Sequence, residues 1–199
     1  QPRALFAPEI EEEANLHFQR IYRSEVQIEA VIQMLKGFKA SQVQREQEVF
    51  GCMIHNLFDE YRFFPRYPER ELLITGRLFG SLIQHQLVSS ITLGIALRYV
   101  LEALRKQVSS SMFKFGMCAL EQFKHRLVEW PQYCHHILQI SHIRQSHETL
   151  ITFIHQALAQ PRKDTPPSSG GTSASAAGAA VEGGANAGPK PAASGGGGA

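Results

Sequence analysis

Apolar positions along most of this chain recur at three- and four-residue steps, the period of helices that bury one stripe. After Pro8, residues Ile10, Ala14, Phe18, Ile21 and Tyr22 keep that period, and Glu11, Glu12 and Glu13 load the first turn. Acidic side chains there suit the helix dipole. A second helix is predicted over about 25–38, with Ile28, Val31, Ile32, Leu35 and Phe38 on one stripe and Gly37 as its terminator. Ser41 and Gln44 have capping-box spacing ahead of a long helix, about 42–64, whose stripe is Val43, Phe50, Ile54, Leu57, Phe58 and Tyr61. Pro65 and Pro68 break the chain.

Further helices follow over about 68–86, 91–106 and 110–129, the last two joined by the serine cluster 109–111. Pro131 suits the first turn of a shorter helix. A last helix over about 147–158 carries Leu150, Ile151, Ile154 and Leu158. About eight helices with short connections imply antiparallel neighbours. The expected fold is therefore all-α, with antiparallel helix pairs stacked as a HEAT-like helical-repeat domain, although no repeat of fixed period is present. Grooves between stacked helices accept amphipathic or extended segments of other chains.

Composition divides the chain at about residue 160. Residues 161–199 hold ten of the sixteen glycines and five of the ten prolines, with no aromatic residue. Such a stretch buries too little apolar surface to offset the entropy of ordering it. It reads as a disordered Gly/Ala/Ser/Pro-rich linker, and 1–160 as the helical domain. The net charge is +2. That is weak for a nucleic-acid binder, which carries a clear basic excess or stripe. The arginines 62, 66, 70 and 77 and the run Lys124, His125, Arg126 keep a helical-repeat RNA-binding domain as the alternative. Three scattered cysteines without a CxxC fit free thiols in a reducing compartment, hence cytoplasm or nucleus. The most apolar stretch, 87–104, carries Arg98 and Glu102, so no membrane span is expected.

Candidate chemistry is sparse. His135, His136, His142, His147 and His155 gather near Cys134, but neither HExxH nor paired-cysteine spacing is present. They read as surface or core histidines, so no metal or cofactor is expected. Cys52 and His55 lie one turn apart, yet a continuous helix supplies no oxyanion donor at that spacing. GxSxG, GxGxxG and P-loop patterns are absent. The chain reads as non-catalytic. The run Tyr61, Phe63, Phe64, Tyr67 is more informative. Tyr61 and Phe64 continue the core stripe, while Phe63 lies about 100° away, either under the following loop or in a partner groove. Tyr99 carries the same two readings. Asn56 either hydrogen-bonds a partner's backbone or is simply exposed.

The strings PEIEEEANLHFQRIY (8–22), REQEVFGCMIHNLFDEYRFFPRYP (45–68), LGIALRYVLEALRK (93–106) and EQFKHRLVEWPQYC (121–134) carry a resemblance. Over roughly 8–145 the chain resembles the tristetraprolin-binding HEAT domain of the NOT scaffold, the largest subunit of the Ccr–Not deadenylase complex. The resemblance implies a scaffold domain without a catalytic site, inside a parent chain that holds the other subunits of the complex. It implies capture of short segments of mRNA-binding proteins such as tristetraprolin, leading to deadenylation, mRNA decay or repression. Direct RNA contact is not implied. Asn56, Tyr61, Phe63, Phe64, Tyr99 and Glu102 fall in the matching motifs and form the candidate peptide-binding set. After ALRYVLEALRK the chain reads QVSSSMFKFGM (107–117), a departure from the family that bears on partner choice.

Overall fold

A computed structural model describes residues 4–160. The expected linker at 161–199 lies outside the described residues. Among these, every regular element is helical: α1 Pro8–Tyr22, α2 Ile28–Ala40, α3 Gln44–Asp59, α4 Glu69–Gln84, α5 Ser90–Leu104, α6 Ser111–Phe123, α7 Pro131–Leu138, α8 Ser141–Ser146 and α9 Glu148–Ala159. Two 3-10 segments, Glu60–Arg66 and Lys124–Glu129, extend α3 and α6. The all-α expectation holds.

The boundaries correct the sequence in four places. Gly37 does not end α2, which runs on to Ala40 and stops where Ser41 turns extended. Ser41 does not cap α3 either. Its hydroxyl accepts the Val43 N–H at 3.0 Å, closing a local turn before the helix begins. The long helix over 42–64 tightens at Glu60, because Pro65 lacks the N–H that an α-helix would use. Residues 141–146, unassigned from the pattern, form the short α8. Within the serine cluster 109–111, Ser110 caps α6: its hydroxyl accepts the Phe113 N–H at 3.1 Å.

Side-chain pairings fix the stacking. One turn along α4 from Gly76 to Gly80 matches one turn along α6 from Phe115 to Ala119, so these helices run parallel. In α2 and α4, Glu29 pairs with Arg77 near one end, and Lys39 reaches the Gln86 carbonyl near the other. α1 packs on α3 through Glu11 with Asn56 and Glu13 with Arg45. The parallel pairs α2 with α4 and α4 with α6 give the stacked hairpins of a helical repeat. The core is continuous. Leu72, Leu78, Phe79, Leu82 and Ile83 of α4 are buried against Phe115, Leu120 and Phe123 of α6.

The α4–α6 contact is a backbone contact. A Cβ at Gly80 would sit 2.8 Å from the Ala119 Cα and closer still to its carbonyl oxygen. Nothing there has room to yield. Gly80→Ala is therefore expected to destabilise the domain by about 3 kcal/mol, a fall in Tm of about 6–12 °C in a domain of this size. Gly37 has open space around its missing Cβ. Gly37→Ala should stabilise by about 0.5–1 kcal/mol. Thermal unfolding followed by circular dichroism checks both.

Candidate functional site

The third helix carries two apolar stripes. Val49, Cys52, Met53 and Leu57 are buried in the core. Phe50, Ile54 and Phe58, each one turn from the next, are only partly buried. They form one wall of an open groove of about 640 Å³. The opposite wall comes from the start of α5 and the segment before it: Leu87, Val88, Thr92 and Ile95. Phe58 also packs 4.9 Å from Phe79 of α4, which anchors this side of the groove to the core.

Tyr61 and Tyr99 close one end. Their rings lie parallel, 3.8 Å apart and 1° from coplanar in orientation. The Tyr61 hydroxyl donates to the Tyr99 carbonyl at 3.2 Å and lies 3.4 Å from Glu102. Burial, with help from the Glu102 carboxylate, pushes the Tyr61 hydroxyl well above its usual range. It stays protonated and keeps donating. Ring contact of this kind contributes about 0.5–1.5 kcal/mol beyond area burial. At the other end Ile91, one turn before Ile95, is 79% exposed. It lies outside the groove lining, which Thr92 and Ile95 supply on this helix.

The structure divides the six candidate residues. Tyr61 and Tyr99 line the groove. Glu102 lies beyond the stack, in a second depression with Pro65, Arg105, Lys106 and Met112. Phe64 is a correction: it is fully buried, 5.3 Å from Phe115, and belongs to the core, two turns on from the buried Leu57. Phe63 is outside the groove lining, 37% exposed, with the Arg62 guanidinium 4.8 Å from its ring. Asn56 is a second correction. It faces α1, its amide donating to Glu11 at 3.0 Å, away from the groove. The groove residues that sequence reading assigned to the core, Phe50, Ile54 and Phe58, were signalled by the width of the apolar arc on α3. An arc holding both Leu57 and Phe58 exceeds what one core contact can cover.

The other chemical candidates have structural surroundings. Cys52 is buried, and its thiol is pushed up to about 11 by burial and then by Glu11, the reverse of activation. His55 stands on the exposed side of α3, its ring 6.0 Å from Phe6. His142 contacts the Leu104 carbonyl at 2.7 Å, and the Cys134 thiol donates to the Leu127 carbonyl at 3.3 Å. Among the described residues, no group of three His, Cys, Asp or Glu side chains could hold a metal ion. No helix there is long and apolar enough to cross a membrane. Most of the arginines and lysines considered for RNA are already paired. Arg62, Arg70, Arg77, Lys124 and Arg126 each lie within 4 Å of a carboxylate.

These features define a helical-repeat domain whose prominent site is an open apolar groove. The chain belongs to the family described as the CCR4-NOT transcription complex subunit 1 TTP binding domain, whose model matches residues 1–166. It is 42% identical over 154 residues to General negative regulator of transcription subunit 1 of Schizosaccharomyces pombe, covering 77% of this chain and 7% of that one. It is 38% identical over 135 residues to CCR4-NOT transcription complex subunit let-711 of Caenorhabditis elegans, covering 67% and 5%. A solved structure, the N-terminal domain of the yeast Not1, superposes with a TM-score of 0.73 at 35% identity, covering 77% of this chain and 29% of that one. The chain thus spans a small part of its relatives.

Thiol labelling checks the reading of the cysteines. Cys118 is partly exposed, whereas Cys52 and Cys134 are buried. A maleimide at neutral pH should modify native protein at Cys118 and reach Cys52 and Cys134 only after unfolding, as peptide mass spectrometry reports.

Proposed function

We propose that this domain docks a short apolar segment of an mRNA-binding protein in the groove between α3 and α5. As part of a longer scaffold chain, it thereby brings bound messages to the deadenylase subunits of a CCR4-NOT complex, leading to poly(A) shortening, decay or repression. The domain itself does no chemistry in this reading; the other subunits attach through the parent chain. Its place of action is the cytoplasm, and the nucleus where the complex works there. Family membership supports a TTP-like partner. The observation that carries the reading is the row Phe50, Ile54, Phe58 facing Val88 and Ile95, closed by the Tyr61–Tyr99 stack. An apolar row at one-turn spacing matches the side chains of a helix laid in a groove. Five of the candidate basic side chains are paired with carboxylates, which favours a peptide over RNA.

The test is fluorescence anisotropy with labelled peptides tiled from tristetraprolin. Saturable binding near micromolar Kd is expected, on the order of 8 kcal/mol. Phe58→Ala and Ile95→Ala should each weaken it by about tenfold or more, and Phe63→Ala by less than about twofold. Ile95 lines the groove and is only partly buried, so circular dichroism of its variant separates lost binding from lost fold. Affinity should change little with salt. Full affinity in both groove variants, or binding that collapses with salt as phosphate contacts do, would overturn the proposal.

A further inference from the structure

On the side of α3 away from the groove, a pocket of about 250 Å³ opens between α1 and the start of the 3-10 turn. Phe18, Tyr22 and Tyr67 supply its aromatic walls, and Leu57, Glu60, Asn15 and Asn56 complete it. The Phe18 and Tyr22 rings stack at 21°, while Tyr67 stands at 84° to Tyr22, both pairs with centroids 6.4 Å apart. Two ring faces therefore meet at a corner. Burial pushes the Tyr22 hydroxyl up, against the opposing Thr75 hydrogen bond, with smaller upward pushes from the Glu60 and Glu71 carboxylates. That hydroxyl meets Thr75 at 2.9 Å.

We propose that this corner is a second recognition site, built to take the arginine side chain of a partner segment. The Glu60 carboxylate, which accepts from the Tyr67 hydroxyl, pairs with no cation among the described residues. The Asn56 amide nitrogen is committed to Glu11, so Asn56 offers its carbonyl oxygen. Arg70, the guanidinium beside Tyr22, is held by the Tyr22 carbonyl at 2.9 Å and the Ser24 hydroxyl at 2.6 Å, and does not line the pocket. Ring faces attract cations within about 6 Å of the centroid. A guanidinium is flat, weakly hydrated and forked, so it lies against one face while donating to a carboxylate. An ammonium is more strongly hydrated and fills a flat corner less well. The site is independent of the α3–α5 groove and stands or falls apart from it.

The probe is Nα-acetyl-arginine methylamide, titrated into the 199-residue chain at low ionic strength and followed by proton–nitrogen NMR. The citrulline analogue, equal in shape but uncharged, is the comparison. Saturable shifts are expected at the amides of Asn15, Glu60 and Tyr67 with arginine and not with citrulline. Glu60→Gln should weaken the arginine response by about tenfold or more. Phe18→Leu, which keeps apolar volume and removes a ring face, should weaken it as well. Phe58→Ala, on the groove side, should leave it unchanged. Equal response to citrulline, an unchanged response in Glu60→Gln, shifts that map elsewhere, or no shifts at all would each overturn the proposal.

Discussion

The approach of α6 to α4 at Gly80 sets the spacing of the stack. With no side chain there, the backbones of the two helices touch. On another face of α6, Gly116 lets Ala103 and Leu104 of α5 come close, though less tightly, since a Cβ added at Gly116 would lie 3.0 Å from the Ala103 Cβ. One helix is thus clasped by two others through missing side chains. Close-packed interiors transmit such constraints rather than absorbing them. The position of α5 is therefore decided by α6, not by α3.

The groove follows from that arrangement. α3 is held from its other sides by α1, α2 and the 3-10 turn, while α5 is held by α6. Between α3 and α5 only the ends meet closely, through Tyr61 and Tyr99. The stack acts as a spacer. It keeps the two helices at the separation of a pair of aromatic rings at one end and leaves a furrow along the rest. Its hydroxyl anchor on the Tyr99 carbonyl holds the ring in register without a charge that would need solvation.

How much of this was legible in the sequence depends on the position. Periods and breakers gave the helices, because Pro8, Pro68 and Pro131 and the serine at 110 act locally. The stacking order was not legible, since it rests on contacts such as Gly80 with Ala119 that no local pattern encodes. The site was half legible. Tyr61 and Tyr99 stood out as aromatic residues with polar tips in apolar helices. Phe58 and Phe64 have the same character in sequence, yet one lines the furrow and the other is fully buried. What separates them is helical phase: Phe64 falls two turns on from the buried Leu57, whereas Phe58 lies about 100° round from it. Asn56 looked like a polar intruder awaiting a partner, and its partner was Glu11 from another helix.

The furrow's size also bounds how tightly it can hold a guest. Ordering a flexible segment and surrendering its free tumbling costs about 4–15 kcal/mol or more, which an open furrow offsets only in part. Occupancy therefore depends on local concentration. A scaffold subunit gains from that balance. A message-bound protein that presents several segments, or one segment with a second anchor, would be held far longer than a single free peptide, because linked contacts multiply through effective concentration. In the proposed reading, weak individual docking on a rigid helical frame lets the domain hold bound messages and release stray peptides.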